Sequence, residues 1–414
     1  MSGRFRHAEW VAHLNALGEG LGDDGRSVIS LDPDDVMAAA RSNTGLDDFG
    51  EDDGFVEPYR ALCRSLDTEA ELTILGRLMA RHEVQLLLQN RLQIEDTIKR
   101  HPEILEQEIV DPIFVCGLGR SGTTVLHELF SEDPAHRVPR LWEMWHSVPP
   151  PESETYETDP RAAIADLEIN LPTQVDPDFA TMHVSRGNKP NECIFLFGLQ
   201  FVGDVFLGQY NVPSFEAMAS GRDLTPVYAY HKKVLQLLQW RHPGERWVLK
   251  SPAHLGRLNF LFSVYPDARV VVTHRDPLRV VGSMSNLTAH LKAMRSSAVA
   301  ADGDMTVASF GPQMLLDYYA QLRDQMPERD GQIFDLRFSD LNRDPLAAVE
   351  SIYAHWGLDF SDEARQRVEA YLAKNPQREH GAHQYSFADT GLDVDTERAK
   401  FVQYQERFGV ESEV

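Results

Sequence analysis

The sequence predicts an α/β fold: a parallel sheet flanked by helices, with a helical N-terminal extension and a helical insertion. Three observations predict it. Four short apolar runs, PIFVCG, WVLKS, ARVVVTH and QIFDLRF, each precede a segment of helical periodicity, and strands alternating with helices build parallel sheets. A Gly-rich turn of GxxxxG spacing separates the first run from its helix, which marks the sheet as P-loop-type. Between Glu57 and about Arg100, Leu62, Leu66, Leu72, Leu75, Leu78, Met79, Val84, Leu87, Leu88 and Leu92 recur at three- and four-residue steps, the stripe of amphipathic helices.

The elements follow in chain order. Residues 1–50 alternate short helical patterns with the acidic, Gly-rich tracts GEGLGDDGRS and DDFGEDDG, as a surface wrapping would. The stripe after Glu57 predicts a helical hairpin or short bundle, so residues 1–110 are read as a helical extension packed on a main domain of residues 111–414. At Pro112 the texture changes to strand, loop and helix, the helix VLHELFSEDP stopping at a Pro. The stretch of about 150–246 is largely helical and loop-like, an excursion of the kind that builds an acceptor pocket or lid. WVLKS (247–251) leads into AHLGRLNFLFSVY. ARVVVTH leads into PLRVVGSMSNLTAHL, with Asp276 as N-cap and Pro277 in the first helical position. QIFDLRF (332–338) precedes LAAVESIYAHWGL.

Composition limits the function classes. A chain of 414 residues with 42% hydrophobic residues can bury a large core. With 40 basic and 64 acidic residues the formal charge is −24, which repels nucleic acid and anionic membrane surfaces. An anionic small ligand would need a local nest of backbone amides with a few Arg or Lys residues. No stretch reaches the roughly 18 apolar residues of a membrane span. Cys63, Cys116 and Cys193 are widely separated in apolar contexts, as buried free thiols of a reducing compartment are. These features predict a cytoplasmic protein without a membrane span or nucleic-acid partner.

Gly117-Leu-Gly-Arg-Ser-Gly122-Thr-Thr has the spacing of a loop whose amides and following helix dipole cradle an anion. A nucleoside triphosphatase needs Lys after the second Gly and a magnesium carboxylate nearby. Here that position is Thr123, and ARVVVTHRDP offers His and Arg at its strand end. A cradle of Arg120, Ser121, Gly122, Thr123 and Thr124 fits a less charged terminal group that needs no metal; sulfonate linked to a 5′-phosphate is one. Arg275, at the end of the third run, and Ser283, eight residues on, can converge on a second phosphate, the Arg by a charge-assisted fork.

With these residues in hand, the chain resembles the PAPS-dependent sulfotransferase family (PAPS is 3′-phosphoadenosine 5′-phosphosulfate), in particular bacterial members distantly similar to tyrosylprotein sulfotransferases. The resemblance runs from NTGLDDFG at 43–50 to HQYSFADTGL at 383–392. It is carried by PIFVCGLGRSGTTVLHELFSEDP, RLWEMWHSVPPPE, LKSPAHL, VVTHRDPLRVVGSMSNL and FSDLNRDP. It implies that the first segment binds the 5′-phosphosulfate of PAPS, and that Arg275 and Ser283 bind its 3′-phosphate. The family's loop more usually has Pro where this chain has Gly119.

Sulfuryl transfer to a hydroxyl or amine needs a base, positive charge on the leaving oxygen and in-line positioning. Lys250, at the end of WVLKS, is the candidate leaving-group cation and matches a catalytic Lys of tyrosylprotein sulfotransferases. Three residues compete as base: Glu143, which resembles the family's catalytic Glu, and His183 and His254, since an ordinary imidazole suits base catalysis near neutral pH. Glu192 would orient a His or cap a helix, and His127 would pack behind the loop. The aromatic residues Trp142, Trp145, Phe195, Phe197, Phe201 and Phe206 are read as core. Two alternatives remain at this stage, a P-loop small-molecule kinase and a non-catalytic nucleotide-binding protein. The acceptor is expected to be a small molecule whose identity the sequence does not specify.

Overall fold

A computed structural model of the chain describes residues 5, 7–182, 185–299, 305–375 and 387–414. The candidate His183 and residues 383–386 of the HQYSFADTGL segment lie outside the described residues. The four apolar runs form strands β1 (Ile113–Gly117), β3 (Arg246–Lys250), β4 (Arg269–His274) and β5 (Ile333–Arg337). A two-residue edge strand, β2 (His136–Arg137), is too short for a periodicity to reveal. All pairs are parallel and the order is β2-β3-β1-β4-β5.

Alternation along the central strands divides the core. Ile113, Val115, Val248 and Val271 pack with Leu126, Leu129 and Phe130 of the helix that follows the Gly-rich loop. Phe114, Cys116, Trp247, Leu249, Val270 and Val272 face the opposite layer, which includes Val234 and Leu238 of the helix Thr225–Gln239. A sheet apolar on both faces is the usual consequence of helical crossovers. The chain runs from β1 past β3 to β2, returns to β3 and then crosses to β4 on the other side of β1. Such a reversal opens a crevice at the carboxyl ends of the strands, where ligands of open α/β sheets bind.

Among the described residues four α-helices precede the sheet: α1 (Glu9–Leu21), α2 (Pro33–Thr44), α3 (Val56–Thr68) and α4 (Ile74–Arg100). At a rise of about 1.5 Å per residue, α4 extends roughly 40 Å and links this layer to the insertion. Its Leu88 and Leu92 share a core with Leu62 and Leu66 of α3 and with Phe201, Phe206 and Phe215 of the insertion. The buried Arg91 guanidinium donates to the carbonyls of Phe49, Asp52 and Leu199 and lies 4.0 and 4.3 Å from the ring centroids of Phe55 and Tyr230. At Gly76 a Cβ would stand 1.9 Å from the Arg295 carbonyl oxygen, so only glycine lets α4 lie against the chain that follows β4. Among the described residues no helix is long and apolar enough to cross a membrane.

Candidate active site

The Gly-rich loop joins β1 to α5 (Thr123–Ser131) at the crevice. Gly117 has φ +143°, and a Cβ there would lie 2.3 Å from Thr273 Oγ1 of β4. The loop then uses left-handed conformations at Arg120 (φ 66°) and Gly122 (φ 95°). The Ser121 side chain faces inward: its hydroxyl donates to the Leu118 carbonyl and lies 2.7 Å from Thr273 Oγ1. Ser121 therefore braces the loop against β4, and its hydroxyl is occupied within the protein. Among the described residues no side chain caps α5, whose N-cap is Gly122, so its first-turn amides and helix dipole favour an anion there. Gly122, Thr123 and Thr124 border the cavity in front of the loop. A Cβ at Gly119 would come 2.7 Å from the Met284 sulfur; here the Met284 side chain takes the room a larger loop residue would need.

Lys250 ends β3 with its side chain 3% exposed; Nζ donates to Glu192 Oε1 at 2.8 Å and to Thr124 Oγ1 at 3.3 Å. The Cys193 amide donates to the Lys250 carbonyl at 2.9 Å, which anchors the insertion beside the strand end and brings Glu192 to the loop. His127 of α5 lies behind this group, its Nε2 3.1 Å from the Val248 carbonyl. Burial, then the Lys250 charge, push its imidazole pKa down to about 3.

Two arginines face the other side of the loop. Arg275 donates Nε and Nη2 to the Glu413 carboxylate at 2.8 and 2.7 Å and Nη1 to the Arg120 carbonyl at 2.9 Å. Its guanidinium carbon lies 4.0 Å from the Phe338 ring centroid. Desolvation in the cleft, and then the Arg275 charge, lower the Arg120 pKa. Arg120 and Arg275 thus lie beside the start of α5. Ser283 is half-buried in the helix Pro277–Ala293.

One cavity of about 1110 Å³ is lined by Arg120, Thr124, Glu192 and Arg275 and also by the apolar Leu75, Met79, Leu87, Phe206, Leu287 and Leu291, whereas Lys250 reaches it only through Thr124 and Glu192. Other carboxylates that line it have partners: Glu83 with Arg295 at 2.9 Å, Glu168 with His146 at 2.7 Å and Asp204 with Arg257 at 2.8 Å.

A model of the sulfotransferase family matches residues 112–362, more than half of the chain. The chain belongs to the sulfotransferase family. It is 34% identical to sulfotransferase STF1 from Mycobacterium tuberculosis, with a TM-score of 0.78 over 89% of this chain and 98% of that one. Sulfotransferase STF9 from Mycobacterium avium superposes with a TM-score of 0.82 at 28% identity, over 92% of this chain and 97% of that one. A curated relative, the omega-hydroxy-beta-dihydromenaquinone-9 sulfotransferase Stf3 of Mycobacterium bovis, is 25% identical over 68% of this chain and 72% of its own length.

Within this sulfotransferase the described base candidates lie away from the cavity. Glu143 is fully buried, and both carboxylate oxygens are occupied. Arg137 binds it in a fork, the Tyr156 hydroxyl donates at 2.7 Å and the Arg140 amide at 2.8 Å. It stabilises a helix start and a buried arginine. His254 is enclosed by Phe114, Phe197 and Tyr228, its Nδ1 2.8 Å from the Tyr228 hydroxyl. Desolvation drives its pKa well below the ordinary value. Glu192, read from sequence as an orienting or capping residue, is the carboxylate that reaches Lys250. Trp145, Phe195 and Phe206, read as core, border the cavity. No local motif pairs Glu192 with Lys250 or Glu413 with Arg275.

Proposed function

We propose that this sulfotransferase moves a sulfuryl group from PAPS to the hydroxyl of an apolar small-molecule acceptor, with Glu192 as base and Lys250 stabilising the leaving group. The observation that carries the reading is the Lys250–Glu192 pair beside Thr124, with Glu192 and Thr124 both lining a cavity that apolar side chains also line. The α5 amides, Arg120, Thr123 and Thr124 would hold the 5′-phosphosulfate, while Arg275 and Ser283 would hold the 3′-phosphate. Glu192 takes the acceptor proton as the acceptor oxygen bonds to sulfur. The bond from sulfur to the bridging oxygen breaks, its electron pair leaving with 3′,5′-diphosphoadenosine.

An ammonium has three donors, so Lys250 can keep Glu192 while donating to the departing oxygen. The proton moves as bond formation acidifies the acceptor hydroxyl, which makes a carboxylate an adequate base. A neutral, largely apolar acceptor fits the leucine-lined cavity, where these other carboxylates already have partners. That Stf3 acts, by its name, on an omega-hydroxylated dihydromenaquinone supports an apolar alcohol as the acceptor class. The three cysteines, buried and unpaired, suit a cytoplasmic setting.

The test is incubation with PAPS and a panel of apolar alcohols, phenols and anionic alcohols, scored by mass spectrometry. The reading expects sulfated apolar alcohols with stoichiometric 3′,5′-diphosphoadenosine, and loss of turnover in Glu192→Gln without loss of diphosphate binding. Equal turnover in Glu192→Gln and wild type would remove Glu192 as the base; transfer confined to anionic alcohols would overturn the acceptor class.

A further inference from the structure

The Arg275 guanidinium, the group suited to a second phosphate, already holds a carboxylate. Glu413 occupies it through two parallel hydrogen bonds of 2.8 and 2.7 Å, and Nη1 is engaged by the Arg120 carbonyl. A guanidinium has five N–H groups, and these three bonds use one on each nitrogen. One N–H remains on Nη1 and one on Nη2, while Phe338 covers a face of the plane. A phosphate accepting the remaining pair would lie beside the Glu413 carboxylate and be repelled by it; a phosphate taking the Nε edge must displace it.

The backbone of Glu413 is tied down independently of its side chain. The amides of Glu413 and Val414 donate to Asp276 Oδ2 at 2.6 and 3.1 Å. Arg398 binds Asp276 as well as the Val414 carbonyl. Asp276 also caps the helix Pro277–Ala293 through the Leu278 amide. The Glu413 side chain is 34% exposed, so it can rotate off Arg275 into solvent while its backbone stays.

We propose that Glu413 is a donor-site residue that competes with the nucleotide 3′-phosphate for Arg275, holding the fork in the free protein and weakening retention of 3′,5′-diphosphoadenosine after transfer. This rests on the PAPS reading above. A phosphate dianion outcompetes a single carboxylate for a guanidinium, so the donor still binds. Its affinity is lowered by the displacement of Glu413, and product departure is correspondingly faster. A nucleotide without a 3′-phosphate does not contest Arg275 and leaves Glu413 seated.

The experiment is calorimetric titration of the full chain, wild type and Glu413→Gln, with 3′,5′-diphosphoadenosine and separately with adenosine 5′-monophosphate. Glutamine keeps the size of the side chain and removes its charge. Glu413→Gln should tighten the diphosphate about three- to tenfold, the range expected when one partly exposed ionic competitor is removed, and leave the monophosphate within about twofold. In an Arg275→Ala background the tightening should vanish. Unchanged or weaker diphosphate binding in Glu413→Gln would overturn the proposal; weakening would show that Glu413 orients Arg275 for the phosphate. Equal tightening of both nucleotides would also overturn it, since the effect would then be general charge removal. A wild type that binds neither nucleotide would refute the PAPS reading itself, and this inference with it.

Discussion

Replacing Lys250 with Ala separates the chemistry of the site from its architecture. The Lys250 side chain is 3% exposed, whereas that of its partner Glu192 keeps 19% exposure. Breaking a fully buried pair by removing one partner costs about 3–5 kcal/mol. Because water in the cavity can solvate Glu192, the stability cost here should fall to roughly 1–2 kcal/mol, between that value and an exposed pair. Turnover should suffer more. Negative charge grows on the bridging oxygen only as the sulfur bond breaks, so a cation aimed there acts mainly on the transition state. Losing one preorganised contact of this kind lowers kcat by about 10²–10³, while affinity for 3′,5′-diphosphoadenosine should change less than about tenfold. Initial rates, calorimetric affinity and thermal unfolding on one preparation resolve the three effects. An unchanged kcat per folded molecule would refute the assignment and move the leaving-group role to Arg120.

Glu143→Gln should destabilise the fold by about 3–5 kcal/mol, because it leaves the Arg137 charge buried without its carboxylate, yet keep kcat of the folded fraction near wild type; an active-site base would give the reverse pattern. Arg275→Ala should weaken binding of 3′,5′-diphosphoadenosine roughly ten- to hundredfold, the equivalent of a charge-assisted contact of about 1.5–3 kcal/mol, and unaltered affinity would remove Arg275 from the site. His127 has a folded pKa of about 3 against an ordinary value near 6.5. Between these the unfolded chain binds the extra proton, so this residue's contribution falls as pH falls, by about 1.5 kcal/mol from pH 6.5 to 5.0. Urea unfolding of His127→Gln at those two pH values should show a shallower loss than wild type by that amount; an identical pH slope would contradict the burial of a neutral imidazole.

The readable parts of the site were those in which local sequence and local geometry coincide. A strand, a GxxxxG turn and a helix start are contiguous, so the turn that leads into Thr123 and Thr124 is legible in the sequence. The strand-end placement of Lys250 and Arg275 is legible because each closes an apolar run, and parallel strands gather their ends along one edge. RLWEMW resembles a catalytic segment, but the contacts that bury Glu143 come from Arg137, the Arg140 amide and Tyr156, a network the local sequence does not announce. Glu192 is 58 residues from Lys250 in sequence, and its position depends on how the insertion folds back onto β3 through the Cys193 amide. The Glu413–Arg275 contact spans 138 residues and has no periodicity to announce it. The apolar lining of the cavity was equally hidden, since Leu75, Met79 and Leu87 read only as one face of an amphipathic helix until the fold gave that face a cavity to line.

The most direct test is transfer itself, measured by mass spectrometry with PAPS, an apolar alcohol and a chelator of divalent metals. The account predicts an acceptor that gains one sulfuryl group for each 3′,5′-diphosphoadenosine formed, at a rate the chelator leaves unchanged. Magnesium-dependent phosphorylation of the alcohol from ATP, with no sulfated product from PAPS, would contradict it.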